Sequence, residues 1–197
     1  MKLTIFSALA VAVCFSYCRC SKPTPQTENR EPDNKLSQQE LVARGRYLAT
    51  IGGCNDCHSP KVMTSAGPAP DSSRILSGHP GQENIPAVLE TQEWILLNNG
   101  STAFVGPWGL SYAANLTPDE TGIGNWSYDQ FVTAMRKGKF KGLEGNRSLL
   151  PPMPWQMYRH MTDNDLRAVF TYLKSLPPID NVVPAPVAPD RLLSQAK

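Results

Sequence analysis

Apolar residues recur at the spacing of an amphipathic helix in three segments, at about residues 38–51, 127–138 and 162–177. Glycine or proline follows each segment, and these residues commonly end helices. The alternation that is typical of strands is weak throughout, so the pattern predicts an all-α fold with long connections. The first two segments begin with the residue pair of a capping box, Ser37 with Glu40 and Ser127 with Gln130. The third begins at Thr162, with Asp165 at the matching position.

The region between the first two helices, from about Lys61 to Leu110, is rich in proline and glycine. These residues are typical of turns and loops rather than of regular elements. A short apolar stretch from Val88 to Leu97 is the one helical candidate within it. We therefore expect a long loop insertion at this point in the fold.

The first 20 residues have the pattern of an export signal, with Lys2 as the positive end and an apolar stretch from Leu3 to Phe15. The next residues are rich in Pro, Gln, Thr, Glu and Asn, which is typical of a flexible linker. We therefore expect a protein exported to the periplasm. Its predicted parts are a signal peptide over 1–20, a linker over 21–36, a folded domain over 37–180 and a Pro-rich tail over 181–197.

Three of the five cysteines, Cys14, Cys18 and Cys20, lie in or beside the predicted signal. Ala10 and Ala12 form a small-x-small cleavage site that would leave all three cysteines at the new terminus. Bacterial lipoproteins are instead cut before a cysteine that is then acylated, but no small residue precedes any of these three. Both routes stay open, and the second would attach the protein to a membrane through a lipid anchor.

Composition narrows the classes of function. A length of 197 residues suits one domain. Charged residues make up 18% and hydrophobic residues 41%, which is too apolar for a disordered chain. The sequence contains 19 Lys and Arg and 17 Asp and Glu, so the formal net charge is only +2. Nucleic-acid binding is not expected, because it normally requires a strongly basic surface.

The remaining two cysteines stand in the sequence Cys54-Asn55-Asp56-Cys57-His58, directly after the first helix. C-x-x-C-H is the pattern of covalent c-type haem attachment. Two thiols about one helical turn apart can each add to a vinyl group of the porphyrin, and the next imidazole can then reach the iron. The motif occurs once, so we predict one haem c, held covalently by Cys54 and Cys57, with His58 as an axial ligand.

Three other interpretations of this motif compete with haem attachment. A thioredoxin-like redox pair would stand in a βαβ pattern, which is absent. A zinc site would need a second pair of ligands at a suitable spacing. A structural disulfide is compatible with export but gives no reason for the adjacent His58.

A six-coordinate haem needs a second axial ligand, and Met153 is the strongest candidate. Pro151, Pro152 and Pro154 surround it and hold its loop in a non-helical conformation, so that a thioether can be fixed at the iron. Methionines on apolar helix faces are more often core residues. Coordination by two histidines is the main alternative. The other candidates along the chain are Met63, Met135, Met157, Met161, His79 and His160.

Four segments together carry a resemblance to a known family: Cys54 to His58, Asn115 to Trp126, Pro152 to Trp155 and Leu166 to Pro177. Over about residues 38–178 the sequence resembles the class I c-type cytochromes of bacteria. It is most similar to the haem modules of cytochrome subunits that accept electrons from membrane-associated alcohol, aldehyde and gluconate dehydrogenases. Those subunits usually carry three such modules and a C-terminal membrane anchor, whereas this sequence contains one module.

The resemblance implies a cytochrome c-like domain with three or more main helices around one haem. It implies that His58 and Met153 are the axial ligands, and that the first helix crosses the last one near Gly45 and Tyr172. The expected function is electron transfer between a dehydrogenase or quinol-oxidising complex and an oxidase or another cytochrome. The alternatives are a haem peroxidase and a gas-binding sensor module, both of which need an open or readily displaced iron position.

Two further groups of residues have a possible place beside the haem. The tryptophans are candidates for pocket walls, although core packing explains each of them equally well: Trp108, Trp126 and Trp155. A basic run precedes the Met153 loop and would steer an acidic partner towards the haem edge if Met153 binds iron: Arg136, Lys137, Lys139, Lys141 and Arg147.

Overall fold

A computed structural model describes residues 36–83, 85 and 94–195 of the chain. The predicted signal peptide and nearly all of the predicted linker lie outside this range. Within it, the helices in chain order are α1 (Gln38–Ile51), α2 (Cys54–His58), α3 (Tyr128–Lys137), α4 (Trp155–Tyr158), α5 (Asp163–Lys174) and α6 (Pro189–Gln195). None of the helices in the described ranges is long and apolar enough to cross a membrane.

The three helices predicted from the apolar spacing are confirmed as α1, α3 and α5. Their first residues follow the predicted caps, because the side chains of Ser37, Ser127 and Thr162 each accept a hydrogen bond from the backbone N–H three residues on. Gly138 ends α3 in the left-handed conformation, which glycine adopts without steric cost. These helix ends depend on residues close in sequence, so the sequence pattern alone was enough to predict them.

The expected all-α fold is confirmed only in part, because the region between α2 and α3 contains two small antiparallel sheets. The first sheet pairs β1 with β2, and the second has the order β3-β4-β5. The strands are β1 (Lys61–Thr64), β2 (Gly67–Pro70), β3 (Leu96–Leu97), β4 (Ala103–Gly106) and β5 (Gly109–Tyr112).

The sequence pattern did not predict strand β4, because buried and exposed residues do not alternate along it. All four of its residues are buried, as are the first three of β5. A strand that is covered on both faces has an unbroken apolar sequence without a period of two. Within the candidate helix from Val88 to Leu97, residues 88–93 lie outside the described residues. The helical expectation is wrong at Leu96 and Leu97, since these two residues form β3.

The main core lies where α1, α3 and α5 meet, and α1 crosses α5 at Gly45. A Cβ atom on Gly45 would lie 2.0 Å from the carbonyl oxygen of Ala168 and 2.6 Å from Cβ of Tyr172, so only glycine permits this approach. The expected proximity of Gly45 and Tyr172 is therefore found. The buried residues of this core are Ala49, Leu76, Ile123, Phe131, Met135, Leu166, Val169, Tyr172 and Leu173.

A second, smaller core joins the three-stranded sheet to the C-terminal segment. Val187 pairs with Leu110 through two backbone hydrogen bonds of 2.8 and 2.9 Å. Val187 and Leu192 of α6 pack against the buried residues Ala103, Val105 and Leu110. The segment after Ile179 is thus extended at first, and it is attached to the sheet rather than free.

Candidate haem site

The C-x-x-C-H motif forms α2, a single helical turn that follows α1 after a two-glycine break. Gly53 adopts φ 70° at the start of α2, in the left-handed region that favours glycine. Cys54 and Cys57 are half-buried free thiols on this turn. Cys54 also packs against the main core. The motif is therefore held at the end of α1 with both free thiols on one helical turn.

His58 is oriented by a hydrogen bond from its ring to a backbone carbonyl. Nδ1 lies 2.8 Å from the carbonyl oxygen of Ala114. A carbonyl can only accept, so Nδ1 carries the proton and Nε2 presents a lone pair. Within the described residues Nε2 has no hydrogen-bond partner. Burial lowers the pKa of His58, which further favours the neutral ring. This is the tautomer and environment that a metal-binding imidazole requires.

The two thiols do not have the properties of an activated redox pair. Burial raises the pKa of Cys54 to about 11, and it also raises the pKa of Cys57. Reactive cysteines of redox proteins have lowered pKa values, because the thiolate is the nucleophile. The residues at this site thus fit a haem attached through thioethers better than a dithiol switch, and the donor set of two thiols and one neutral imidazole fits a c-type haem.

Met153 lies in the loop between α3 and α4, half-buried against the same core that Cys54 contacts. The loop is attached at both sides. The N–H of Leu149 donates to the carbonyl of Gly138 at 2.7 Å. The hydroxyl of Ser111 in β5 donates to the carbonyl of Pro151, also at 2.7 Å. Met153 is therefore carried on a loop with fixed ends, as the prolines around it predict.

Two contacts connect the Met153 loop to the C-x-x-C-H turn. Strand β5 bonds the loop through Ser111, and the chain just beyond β5 bonds His58 through Ala114. On the other side, the hydroxyl of Tyr158 in α4 donates to the carbonyl of Gly52, two residues before Cys54. Burial raises the pKa of Tyr158 to about 12, and both cysteines are close enough to contribute.

Sequence reasoning missed these connecting residues. Ala114 acts through its backbone carbonyl, which has no sequence signature. Ser111 depends on a strand that the sequence pattern did not predict. Tyr158 lies in α4, five residues after Met153, and belongs to no sequence motif. Only the tertiary contacts identify all three.

The other methionine candidates are placed differently. Met135 is buried in the main core, as expected for a residue on an apolar helix face, and Met161 packs against that core. The spacing of Met157 and Met161 predicts a helical turn that packs inward, but Met157 is 71% exposed, so that expectation is wrong for Met157. Met63 on β1 is 82% exposed. Met63, Met135 and Met157 stand in β1, α3 and α4, whereas Met161 lies in the short segment between α4 and α5.

The two histidine candidates differ from each other. His160 is exposed. His79 is fully buried, its ring packs against Tyr112 with centroids 4.7 Å apart, and its Nδ1 lies 2.9 Å from Oγ1 of Thr102. Within the described part of the chain, its Nε2 has no hydrogen-bond partner. Of these two histidines, His79 is thus the one that combines burial with an unpaired ring nitrogen.

The three tryptophans have distinct contacts. Trp108 Nε1 donates to Oγ of Ser111 at 3.1 Å and so supports the residue that bonds the Met153 loop. Trp126 packs against the main core. The ring of Trp155 covers Gly138, where a Cβ atom would lie 2.3 Å from it.

The basic run is partly neutralised. Arg136 forms an ion pair with Asp163 at 2.7 Å, and Lys137 pairs with Glu144. The guanidinium of Arg147 stacks on the ring of Phe140, 4.1 Å from its centroid. The run lies next to the Met153 loop in the fold, because Lys139 forms a β-bridge with Ser148.

The relatives that this chain matches include subunits of bacterial dehydrogenases. No protein-family model matches it. The chain is 32% identical over 146 residues, 74% of its length, to a subunit of the nicotinate dehydrogenase of Pseudomonas putida. It is 33% identical over 133 residues, 67% of its length, to the gluconate 2-dehydrogenase cytochrome c subunit of Pantoea cypripedii. It is 28% identical over 153 residues, 76% of its length, to the fructose dehydrogenase cytochrome subunit of Gluconobacter japonicus.

These matches confirm the resemblance seen in the sequence: the chain is a relative of the cytochrome c subunits of bacterial dehydrogenases. It spans only 9%, 22% and 24% of the lengths of those three proteins, respectively. The relationship supports electron transfer as the class of function.

Proposed function

We propose that this protein is an electron carrier with one haem c, attached through Cys54 and Cys57 and coordinated by His58 and Met153. The observation that carries the proposal is the His58 ring. Its Nδ1 is bonded to the carbonyl of Ala114 beside two free thiols on one helical turn, so the neutral ring presents the lone pair of Nε2 to a metal. When bound, the haem supplies a one-electron iron couple.

The residues of the chain bind and orient the group and move no proton. Cys54 and Cys57 prevent dissociation. The Ala114 carbonyl holds the His58 imidazole in a fixed tautomer and increases its basicity. Ser111 and Tyr158 keep the Met153 loop and the C-x-x-C-H turn in one arrangement. A site of this kind accepts and releases an electron with little rearrangement, which suits a carrier rather than an enzyme.

Met153 is the proposed second ligand because its loop is fixed at both ends and its side chain packs against the core that Cys54 contacts. Methionine–histidine coordination raises the reduction potential relative to more electron-rich ligand sets. His79 is the alternative with an unpaired nitrogen, but Thr102 and Tyr112 hold its ring within the fold.

The proposed partners are redox proteins. The relatives named above are subunits of nicotinate, gluconate and fructose dehydrogenases, so a dehydrogenase is the proposed donor and an oxidase or another cytochrome the proposed acceptor. We place the protein in the periplasm after export, as a cytochrome c domain over 37–180 with a signal peptide, a linker and a Pro-rich C-terminal segment. A lipid anchor at Cys14, Cys18 or Cys20 would hold it at the membrane.

Spectroscopy of the purified protein tests the proposal. We expect one covalently bound haem by intact mass, and a thioether-to-iron charge-transfer band in the oxidised state. Met153→Ala should abolish that band, whereas the matched change Met157→Ala should retain it, because Met157 is largely exposed. Retention of the band in Met153→Ala would contradict Met153 as the ligand and indicate another methionine. Rapid carbon monoxide binding by the unmodified reduced protein would contradict the electron carrier and favour a peroxidase or a gas sensor.

A further inference from the structure

The ammonium group of Lys61 binds the backbone of the C-x-x-C-H turn itself. Its Nζ donates to the carbonyls of Asn55 at 3.1 Å and Asp56 at 3.0 Å, which are the two residues between the haem cysteines. It also donates to the carbonyl of Ser59, directly after the motif, and to that of Gly100 at 3.3 Å. The Lys61 side chain thus connects backbone carbonyls of α2 to the loop before β4 through hydrogen bonds.

The Lys61 group at this position is a cation. All four of its hydrogen-bond partners are carbonyl oxygens, which can only accept. The three N–H donors of an ammonium suit this position, whereas the lone pair of a neutral amine would face acceptors. Burial lowers the pKa of Lys61, while the nearby Asp56 raises it. No carboxylate lies within ion-pair distance of Nζ in the described part of the chain. The positive charge is therefore not paired with a counter-ion and stays close to the motif, where the carbonyl end of a helix favours a cation.

Such a charge has a definite effect on a one-electron couple. Oxidation of a haem adds one positive charge, and a fixed cation nearby disfavours that change by Coulomb repulsion. The effect persists when the cation is partly shielded from water and salt, as Lys61 is.

We infer that Lys61 is a positioning residue that closes the haem-attachment turn and raises the reduction potential of the haem. This inference rests on the proposed function. It assigns to Lys61 a role that the C-x-x-C-H pattern does not contain, since the residue lies three positions after the motif and acts through backbone atoms.

Three variants of the haem-loaded protein test it by redox titration. Lys61→Met keeps a chain of similar length without the charge, and Lys61→Arg keeps the charge. Lys174→Met is the matched control, because the Lys174 ammonium also binds two backbone carbonyls, those of Ile123 and Gly124, outside the motif. The equilibrium constant for reduction should fall about two- to fivefold in Lys61→Met, the range typical of a charge at a helix end. A fivefold fall is about 40 mV at 59 mV per tenfold.

Lys61→Arg should retain most of the wild-type potential, and Lys174→Met should change it less than Lys61→Met does. An unchanged potential in Lys61→Met, or an equal fall in Lys174→Met, overturns the inference while the proposed function stands. A wild-type protein that carries no covalent haem overturns the proposed function instead.

A measurement on the unmodified protein covers the case in which the Lys61 variants do not retain haem. Nitrogen-15 NMR of the lysine side chains should show a slowly exchanging ammonium that belongs to Lys61, with a resonance that shifts between the reduced and oxidised states. The inference is overturned if the Lys61 ammonium exchanges rapidly with water. It is also overturned if the resonance of this ammonium is the same in the reduced and oxidised protein.

Discussion

The crossing of α1 and α5 at Gly45 offers a sharp test of the fold that carries the motif. A methyl group at this position would lie 2.0 Å from the carbonyl oxygen of Ala168, whereas ordinary contacts are 3.4–4 Å. The two helices would have to separate by about 1.4 Å to relieve the overlap. Neither the Ala168 carbonyl nor Cβ of Tyr172 can rotate away, because both belong to or adjoin the main chain.

Gly45→Ala should therefore destabilise the protein although alanine favours helix. The helix propensity gains about 1 kcal/mol, and overpacking of this kind costs about 1–3 kcal/mol, occasionally more. Because the overlap is with rigid atoms, we expect a net loss of about 2 kcal/mol in the free energy of unfolding. For a chain of this size, that loss lowers Tm by about 4–8 °C.

Urea unfolding of the haem-loaded protein, followed by far-ultraviolet circular dichroism, measures the change. Gly145→Ala is the matched control, since a Cβ atom there has no neighbour within 4 Å. That control should leave stability unchanged or raise it slightly, by up to about 1 kcal/mol. If Gly45→Ala is as stable as the control, the close approach of the two helices is not as described and the reasoning fails.

Two further predictions concern the Met153 loop and the acid side of the stability profile. Ser111→Ala removes the hydrogen bond to the Pro151 carbonyl, so added imidazole should bind the oxidised haem about tenfold more tightly, corresponding to about 1.4 kcal/mol. Ser148→Ala, whose exposed side chain makes no hydrogen bond in the described structure, should bind as wild type, and equal binding by both variants would contradict the role of Ser111. The Asp71 carboxylate accepts hydrogen bonds from Ser73 and Arg74, in that order of effect, and these lower its pKa to about 2. Because the pKa is lower in the folded state, the stabilisation is present above about pH 4 and is lost as the pH falls through about 2. Asp71→Asn should flatten that part of the profile relative to wild type, and parallel profiles would refute the assignment.

The haem motif and the helices around it follow from residues that are close in sequence. Cys54, Cys57 and His58 occupy one turn, so their spacing alone predicts that they act together. The capping pairs likewise lie three residues apart and identify the starts of α1, α3 and α5 without any tertiary information. The prolines around Met153 predict a fixed loop for the same reason.

The groups that hold this motif in place could not be found in that way. The Ala114 carbonyl bonds His58 from 56 residues away, and the Tyr158 hydroxyl bonds Gly52 from 106 residues away. Lys61 acts on backbone oxygens, one of them 39 residues distant. Backbone carbonyls are present at every residue and have no sequence pattern. Strands β4 and β5 are buried on both faces and lack the alternation that would reveal them.

The sequence by itself thus determines the C-x-x-C-H motif and the helices around it, because helix caps and motif spacings involve residues only a few positions apart. Tertiary structure decides the tautomer of His58, the placement of the Met153 loop and the position of the Lys61 charge. Each of these depends on a hydrogen bond or a packing contact between segments far apart in sequence, and such contacts exist only once the chain is folded.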